Sequence, residues 1–145
     1  MVDFKRDLQA HADAVERMLL EMLPPESGPQ ARLHAAMRYS SLDGGKRMRP
    51  FLVAGGSRLF DVPERCALRV GVAIELIHCY SLIHDDLPAM DDAPTRRGRP
   101  SCHVEFDEAT AVLAGDALQS LAFEVLADEA THPDPAVRVE LVCML

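Results

Sequence analysis

The stretch from Pro63 to about Asp86 constrains the fold more than any other part of the sequence. Its middle, Val70 to Ile83, is apolar almost all round. A helix that is apolar on every side has to be enclosed by other elements, so the sequence predicts a long central helix packed among further helices. Ala, Leu and Val dominate the composition and only seven residues are aromatic, which also favours an all-α fold.

Shorter helices are expected before and after the central one. Apolar residues recur at helical intervals from Phe4 to Met22, and Pro24 and Pro25 then forbid continuation. The same pattern predicts helices at about 29–41 and 104–128. A further helix should have Pro50 in its first turn and reach about Phe60, and residues 132–135 should open a last helix. Residues 87–101 contain three prolines and a glycine among charged residues, which indicates an irregular loop of the kind that often carries function.

Composition excludes several classes of protein. The chain has 145 residues, 48% of them hydrophobic, which fits one globular unit. A net charge of -8 disfavours nucleic acid as a partner. The four cysteines form no CxxC pair, so they are expected to be reduced thiols and not zinc ligands. No signal peptide or membrane span is apparent after the acidic and basic N-terminus, and we expect a cytoplasmic protein.

An acidic motif lies where the central helix ends. Asp85, Asp86, Asp91 and Asp92 place four carboxylates within eight residues. Pro88 interrupts the helix and lets the chain bring Asp91 back towards Asp85. Such a cluster suits Mg²⁺, which takes one or two protein oxygens and fills its other positions with water and phosphate. Taken alone, the motif fits a solvated loop paired with nearby arginines equally well.

A basic motif precedes the central helix. Residues 44–50 read Gly-Gly-Lys-Arg-Met-Arg-Pro, which offers two glycines for close backbone approach, three cations and a following helix N-terminus. This composition suits diphosphate, although a solvated turn between helices explains the heptapeptide as well. His78 lies two helical turns before Asp85 on the same face, where it can donate a hydrogen bond to phosphate or be a core histidine. Spacing assigns no role to His84, Glu75 or His103.

The ordered combination of these motifs resembles the bacterial farnesyl and geranylgeranyl diphosphate synthases, which are trans-prenyltransferases. It comprises Gly-Gly-Lys-Arg-x-Arg-Pro, then His78, then Asp-Asp-Leu-Pro-Ala-Met-Asp at 85–91, then Arg-Arg-Gly at 96–98. The likeness extends from about residue 30 to 130 and includes Leu-Ala-Gly-Asp-Ala-Leu-Gln at 113–119. It implies the N-terminal part of the isoprenoid synthase helical bundle.

The resemblance also implies roles for individual residues. Asp85, Asp86 and Asp91 match the family's first aspartate-rich motif, which holds the Mg²⁺ that binds the allylic diphosphate. Arg96 matches a contact to that diphosphate. The positions that bind isopentenyl diphosphate are matched by Lys46, Arg49, His78 and Arg97. The implied partners are therefore two small diphosphates, and family members are commonly homodimers, for which 111–126 is a candidate surface.

Product length in the family depends on side chains just before the aspartates. Tyr80 stands five residues before Asp85 and, with the two-residue insertion Pro88-Ala89, resembles the bacterial farnesyl synthase pattern. We therefore expect a fifteen-carbon product, with twenty carbons as the alternative.

The chain matches only the N-terminal half of this family. A second aspartate-rich motif would lie beyond Leu145, and the last helix lacks a closing signal, so residues 1–145 are expected to be half of a single domain and inactive alone. Two other functions stay open: a class I terpene cyclase, which Lys46, Arg49 and His78 disfavour, and a non-catalytic partner of a full-length synthase.

Overall fold

Helices account for most of the chain in the computed structural model, which describes residues 4–42 and 44–145. Within these residues there are seven helices and one antiparallel two-stranded hairpin: α1 Phe4–Met22, α2 Ala31–Ser41, α3 Met48–Arg58, α4 Glu64–Asp85, β1 Thr95–Arg96, β2 Arg99–Pro100, α5 Cys102–Glu105, α6 Glu108–Ala127 and α7 Pro135–Met144. The all-α prediction is confirmed.

Helix α4 is the centre of the structure, as its apolar middle predicts. It packs most extensively against α6 and α3, and also contacts α1 and α2. The fully buried leucines of the core are Leu19 of α1, Leu76 of α4, and Leu118 and Leu126 of α6. Burying each such side chain stabilises the fold by about 1.5–3 kcal/mol. The core therefore fixes the position of the end of α4, where the aspartates begin.

The expected helix at 104–128 is wrong in one respect, because it is broken at Phe106 and Asp107. Asp107 caps α6 by accepting a hydrogen bond from the Thr110 backbone N–H at 2.7 Å. From α2, Arg32 donates to the Phe106 carbonyl at 2.9 Å and to the Asp107 carboxylate at 2.6 Å. These contacts hold the break, and α5 and α6 are separate helices.

Capping explains the start of the last helix. Asp134 accepts a hydrogen bond from the Ala136 backbone N–H at 2.8 Å, and Pro135 occupies the first turn of α7. This confirms the prediction of a last helix opened by residues 132–135. Helix α3 begins at Met48 and has Pro50 in its first turn, as predicted, and Arg49 belongs to the same turn.

Several apolar surfaces are exposed in the described part of the chain. Leu52, Leu59 and Phe60, in and just after α3, are 67%, 80% and 80% exposed. By length and composition alone, α4 and α6 are also apolar enough to cross a membrane, which is weak support for a span because core helices share these properties.

Candidate diphosphate and metal site

The loop after α4 folds back on the helix end. The Asp91 backbone N–H donates to the Asp85 carbonyl at 2.8 Å, and the Ala93 N–H donates to the Asp86 carbonyl at 3.1 Å. The backbones of Asp85 and Asp91 are thus brought together although the two residues are six positions apart. The predicted reversal of the chain around Pro88 is confirmed.

Asp86 differs from its neighbours because its side chain is buried and paired. Only 3% of the side chain is exposed. Arg96 donates to the carboxylate from Nε at 3.1 Å and from Nη2 at 2.5 Å. Its hydrogen bonds to Asp86 raise the pKa of Arg96, and the charges of Asp85 and Asp91 raise it further. Arg96 therefore lies within the field of all three predicted metal ligands.

Of the three predicted metal ligands, Asp85 and Asp91 are not paired with Arg96. Among the described residues no three Asp, Glu, His or Cys side chains are close enough to form a metal site by themselves. Mg²⁺ often uses only one or two carboxylates together with water and substrate phosphate, so Asp85 and Asp91 fit that requirement. Asp86 as a ligand stays a prediction, since its carboxylate is paired with Arg96 in this structure.

A tight turn connects the acidic loop to the basic one. Arg97 and Gly98 join β1 to β2 with φ of 54° and 77°, the conformation of a hairpin turn with both central residues left-handed. The Arg97 guanidinium then lies against Gly44 and Gly45. A Cβ atom on Gly45 would meet Arg97 Nη2 at 3.0 Å, and one on Gly44 would meet Arg97 Cδ at 3.1 Å. In the structure, the lack of side chains at Gly44 and Gly45 lets Arg97 approach their backbone. The sequence had suggested that a ligand would approach there.

His78 belongs to the basic part of the site. It is half-buried on α4, and burial lowers its pKa, with the nearby charges of Arg49, Arg97 and Arg47 lowering it further. The imidazole is therefore neutral near neutral pH and can donate one hydrogen bond. Lys46 and Arg49 are exposed on the adjoining loop and helix start. Their positions leave both side chains open to an anion.

The third cation of the basic motif, Arg47, has a different environment. Its side chain is 1% exposed and pairs with Glu75 and Glu16. The sequence counted Arg47 among three cations suited to an anion, whereas the family resemblance assigned binding to Lys46 and Arg49 only. Its burial shows that Arg47 is not available to an anion. The residue identity carries no signal that distinguishes Arg47 from Arg49. Glu75, to which spacing assigned no role, is its buried partner.

Tyr80 lies four residues before His84 on α4. Its ring packs edge-on against His84, with 4.8 Å between ring centroids. The His84 Nε2–H donates to the Val112 carbonyl at 3.0 Å, and the imidazole covers Gly115 so closely that a Cβ there would be 2.2 Å from Nε2. His84, which spacing left unassigned, thus positions Tyr80 and joins the two central helices.

Comparison with known proteins identifies the family. The sequence profile of the polyprenyl synthetases matches residues 30–143. A farnesyl diphosphate synthase of Haemophilus influenzae is 50% identical over 126 residues, which cover 87% of this chain and 43% of the relative. Geranylgeranyl pyrophosphate synthase 12 of Arabidopsis thaliana, a chloroplastic protein, is 49% identical over 122 residues, covering 84% of this chain and 33% of the relative.

A solved structure shows the same arrangement of helices. The FPP/GFPP synthase of Zymomonas mobilis aligns with a TM-score of 0.93 and 52% identity, covering 96% of this chain and 50% of the solved one. The chain thus spans half or less of the length of these relatives, and it aligns with their helical bundle almost throughout its own length. With the profile match over most of its residues, the chain belongs to the polyprenyl synthetase family.

Proposed function

We propose that these residues carry the first metal site and the isopentenyl diphosphate site of a trans-prenyltransferase. The enzyme would condense an allylic diphosphate, dimethylallyl or geranyl, with isopentenyl diphosphate to give farnesyl diphosphate. One observation carries the proposal: Arg96 and Arg97 sit side by side in one hairpin, and they contact Asp86 of the acidic motif and the Gly44–Gly45 backbone of the basic motif respectively. The proposed metal site at the acidic motif and the proposed cationic site at the basic motif would therefore lie next to each other.

Each group has a defined part in the proposed reaction. Asp85 and Asp91 would hold Mg²⁺, which neutralises the leaving diphosphate as charge develops on it. Arg96 adds a fixed positive charge beside the same group. As the allylic C–O bond breaks, diphosphate departs with the electron pair, and contacts that strengthen with this charge lower the barrier.

The second diphosphate would bind to the basic cluster. Lys46, Arg49 and Arg97 supply positive charge, and neutral His78 supplies an N–H. Their part is to hold isopentenyl diphosphate so that its double bond meets the allylic carbocation, after which a proton is lost. Holding both reactants in one orientation replaces a slow bimolecular encounter.

Incorporation of radiolabelled isopentenyl diphosphate tests the proposal. The 145-residue chain should incorporate none alone, whereas a fusion to the remaining C-terminal part of the Haemophilus influenzae relative should do so with Mg²⁺ and an allylic primer. In the fusion, Asp85→Asn should abolish incorporation. Asp61→Asn is the matched control, because Asp61 is exposed, remote from the site and left-handed, a conformation that Asn tolerates. A folded fusion without incorporation would contradict the proposal.

Three alternatives have distinct outcomes, the first two in the same assay and the third in a mixing experiment. A fusion that converts the allylic diphosphate without incorporating isopentenyl label would indicate a class I terpene cyclase. Twenty-carbon label would indicate a geranylgeranyl synthase, which the 49% identity to the Arabidopsis relative makes the leading alternative product. If the chain alters the activity of an intact synthase when mixed with it, the chain is a non-catalytic partner.

We further propose that the protein is cytoplasmic and forms a homodimer through the outward face of α6. Much of the apolar run 111–126 is buried within the chain, so only its outer residues can serve. Val112, Leu113 and Phe123 are 39%, 56% and 37% exposed. Sedimentation velocity on a Leu113→Lys variant tests this surface, since a charge at a dimer interface should release monomer.

A further inference from the structure

Arg47 is a buried hub between helices. Its Nη1 donates to Glu75 of α4 at 2.8 Å. Its Nη2 donates to Glu16 of α1 at 2.7 Å and to the Ser41 carbonyl at the end of α2 at 2.6 Å. One guanidinium thereby ties three helices to the basic loop.

The backbone of Arg47 is held in an unfavourable conformation. Its φ of 49° and ψ of 37° are left-handed, which is uncommon for residues other than glycine and persists where surrounding contacts enforce it. Arg47 is also the N-cap of α3, and its carbonyl accepts the Phe51 N–H at 3.1 Å. Lys46 directly precedes Arg47, and Arg49 follows it in the first helical turn. The backbone positions of Lys46 and Arg49 therefore depend on Arg47, which the two glutamates hold in place.

The charge of Arg47 is already used inside the protein. Burial by itself would lower the pKa of Arg47, but hydrogen bonds to Glu75 and Glu16 and their charges raise it above the usual value. The guanidinium is therefore permanently charged, neutralised by two carboxylates and hidden from solvent. It has no free face to offer a diphosphate, unlike the exposed Lys46 and Arg49.

We infer that Arg47 is a positioning residue that aims Lys46 and Arg49 at a diphosphate by anchoring the basic loop to Glu16 and Glu75. The inference rests on the proposed function, since it concerns how that diphosphate site is held. It assigns Glu16 and Glu75 to the same device. All three residues act through the loop and not on the ligand.

Binding of inorganic pyrophosphate to the 145-residue chain, measured by titration calorimetry in EDTA, tests the inference, because metal-free buffer excludes binding through the aspartates. Arg47→Lys keeps the charge but loses the fork that reaches three acceptors, so affinity should fall about tenfold, as when the support of a metal ligand is removed. Arg65→Lys, at an exposed site on α4, should leave affinity unchanged.

For the glutamate variants, the inference and simple electrostatics predict opposite changes in pyrophosphate affinity. Glu16→Gln and Glu75→Gln each remove a negative charge near the anion site, so electrostatics alone predicts tighter binding. Loss of the anchor predicts weaker binding, by several-fold in each variant. Because Glu16 is partly exposed, with 29% of its side chain accessible, Glu16→Gln should fold even if Arg47→Lys does not.

The K46A/R49A background distinguishes positioning from general loosening of the fold. If Arg47 acts through these two side chains, Arg47→Lys should have no further effect there, whereas a loosened fold would weaken residual binding again. Affinity equal to or above wild type in Arg47→Lys and Glu16→Gln, with weaker binding in K46A, would overturn the inference and leave the proposed function standing. Absence of pyrophosphate binding by the wild-type chain would overturn both.

Discussion

Replacing Gly115 with alanine should destabilise the chain, against the usual effect of this substitution in a helix. Alanine in place of glycine within a helix is normally worth about 1 kcal/mol of added stability. At Gly115 the new Cβ would lie 2.2 Å from His84 Nε2 and 2.6 Å from His84 Cδ2, distances that no relaxation of the methyl group can relieve. The imidazole or one of the helices has to move.

The expected size follows from what that movement breaks. The His84 ring is held by its bond to the Val112 carbonyl at 3.0 Å and by the edge contact with Tyr80. Overpacking costs about 1–3 kcal/mol and the lost hydrogen bond about 1 kcal/mol. After the gain in helix propensity, the net loss is about 1–3 kcal/mol, or about 3 °C in Tm for each kcal/mol.

Urea unfolding followed by circular dichroism measures this loss, at low protein concentration because Leu59 and Phe60 are exposed. Gly55→Ala is the matched control, since Gly55 lies within α3 and a Cβ there meets nothing within 4 Å. That variant should gain about 0.5–1 kcal/mol. In a His84→Ala background the Gly115→Ala penalty should vanish. A Gly115→Ala variant as stable as Gly55→Ala would refute the reasoning.

Three further outcomes are expected. The hydrogen bond from Arg32, followed by those from Thr110, lowers the pKa of Asp107 from 3.8 to about 2. The ionised Asp107 carboxylate therefore stabilises the fold fully at pH values above the pKa of the unfolded chain, and this stabilisation is lost as pH falls through about 2. The stability difference between wild type and Asp107→Asn, measured by urea unfolding, should therefore shrink over that range; a constant difference would contradict it. Burial raises the pKa of the Cys79 and Cys102 thiols, so Ellman's reagent should modify exposed Cys143 first, Cys66 more slowly, and the buried pair only in denaturant. In the fusion enzyme, Tyr80→Ala should lengthen the product, as read by chromatography of the dephosphorylated alcohols, and an unchanged length would remove Tyr80 as the determinant.

Periodicity was sufficient for most of the helices because their apolar faces are local features. Helix α1 runs from Phe4 to Met22 as predicted, and α4 ends within a residue of the predicted end. The break at Phe106 was missed because its cause is tertiary: Arg32, more than 70 residues earlier, bonds the Phe106 carbonyl.

In the site, too, features set by the local sequence were predicted, and features set by tertiary contacts were not. The acidic reversal follows from Pro88 and the aspartate spacing alone, and it was predicted. The inward turn of Arg47 depends on Glu16 and Glu75, which are 31 and 28 residues distant, so nothing near Arg47 indicates it. The contact between Arg97 and the two glycines likewise joins segments that only the fold brings together. Residue types gave the chemistry of the site, and packing decided which cations remain free.

The hairpin turn at Arg97 and Gly98 limits how the molecule can vary. Its two neighbouring arginines reach in different directions, one to Asp86 and the other over Gly44 and Gly45. Inserting or deleting a residue between Asp86 and Arg96 would reorient both arginine side chains. A side chain at Gly44 or Gly45 would displace Arg97 and, through the hairpin, Arg96. The two proposed diphosphate sites are therefore linked through this hairpin. We expect that a change made in one of them for a different substrate will require a compensating change in the other.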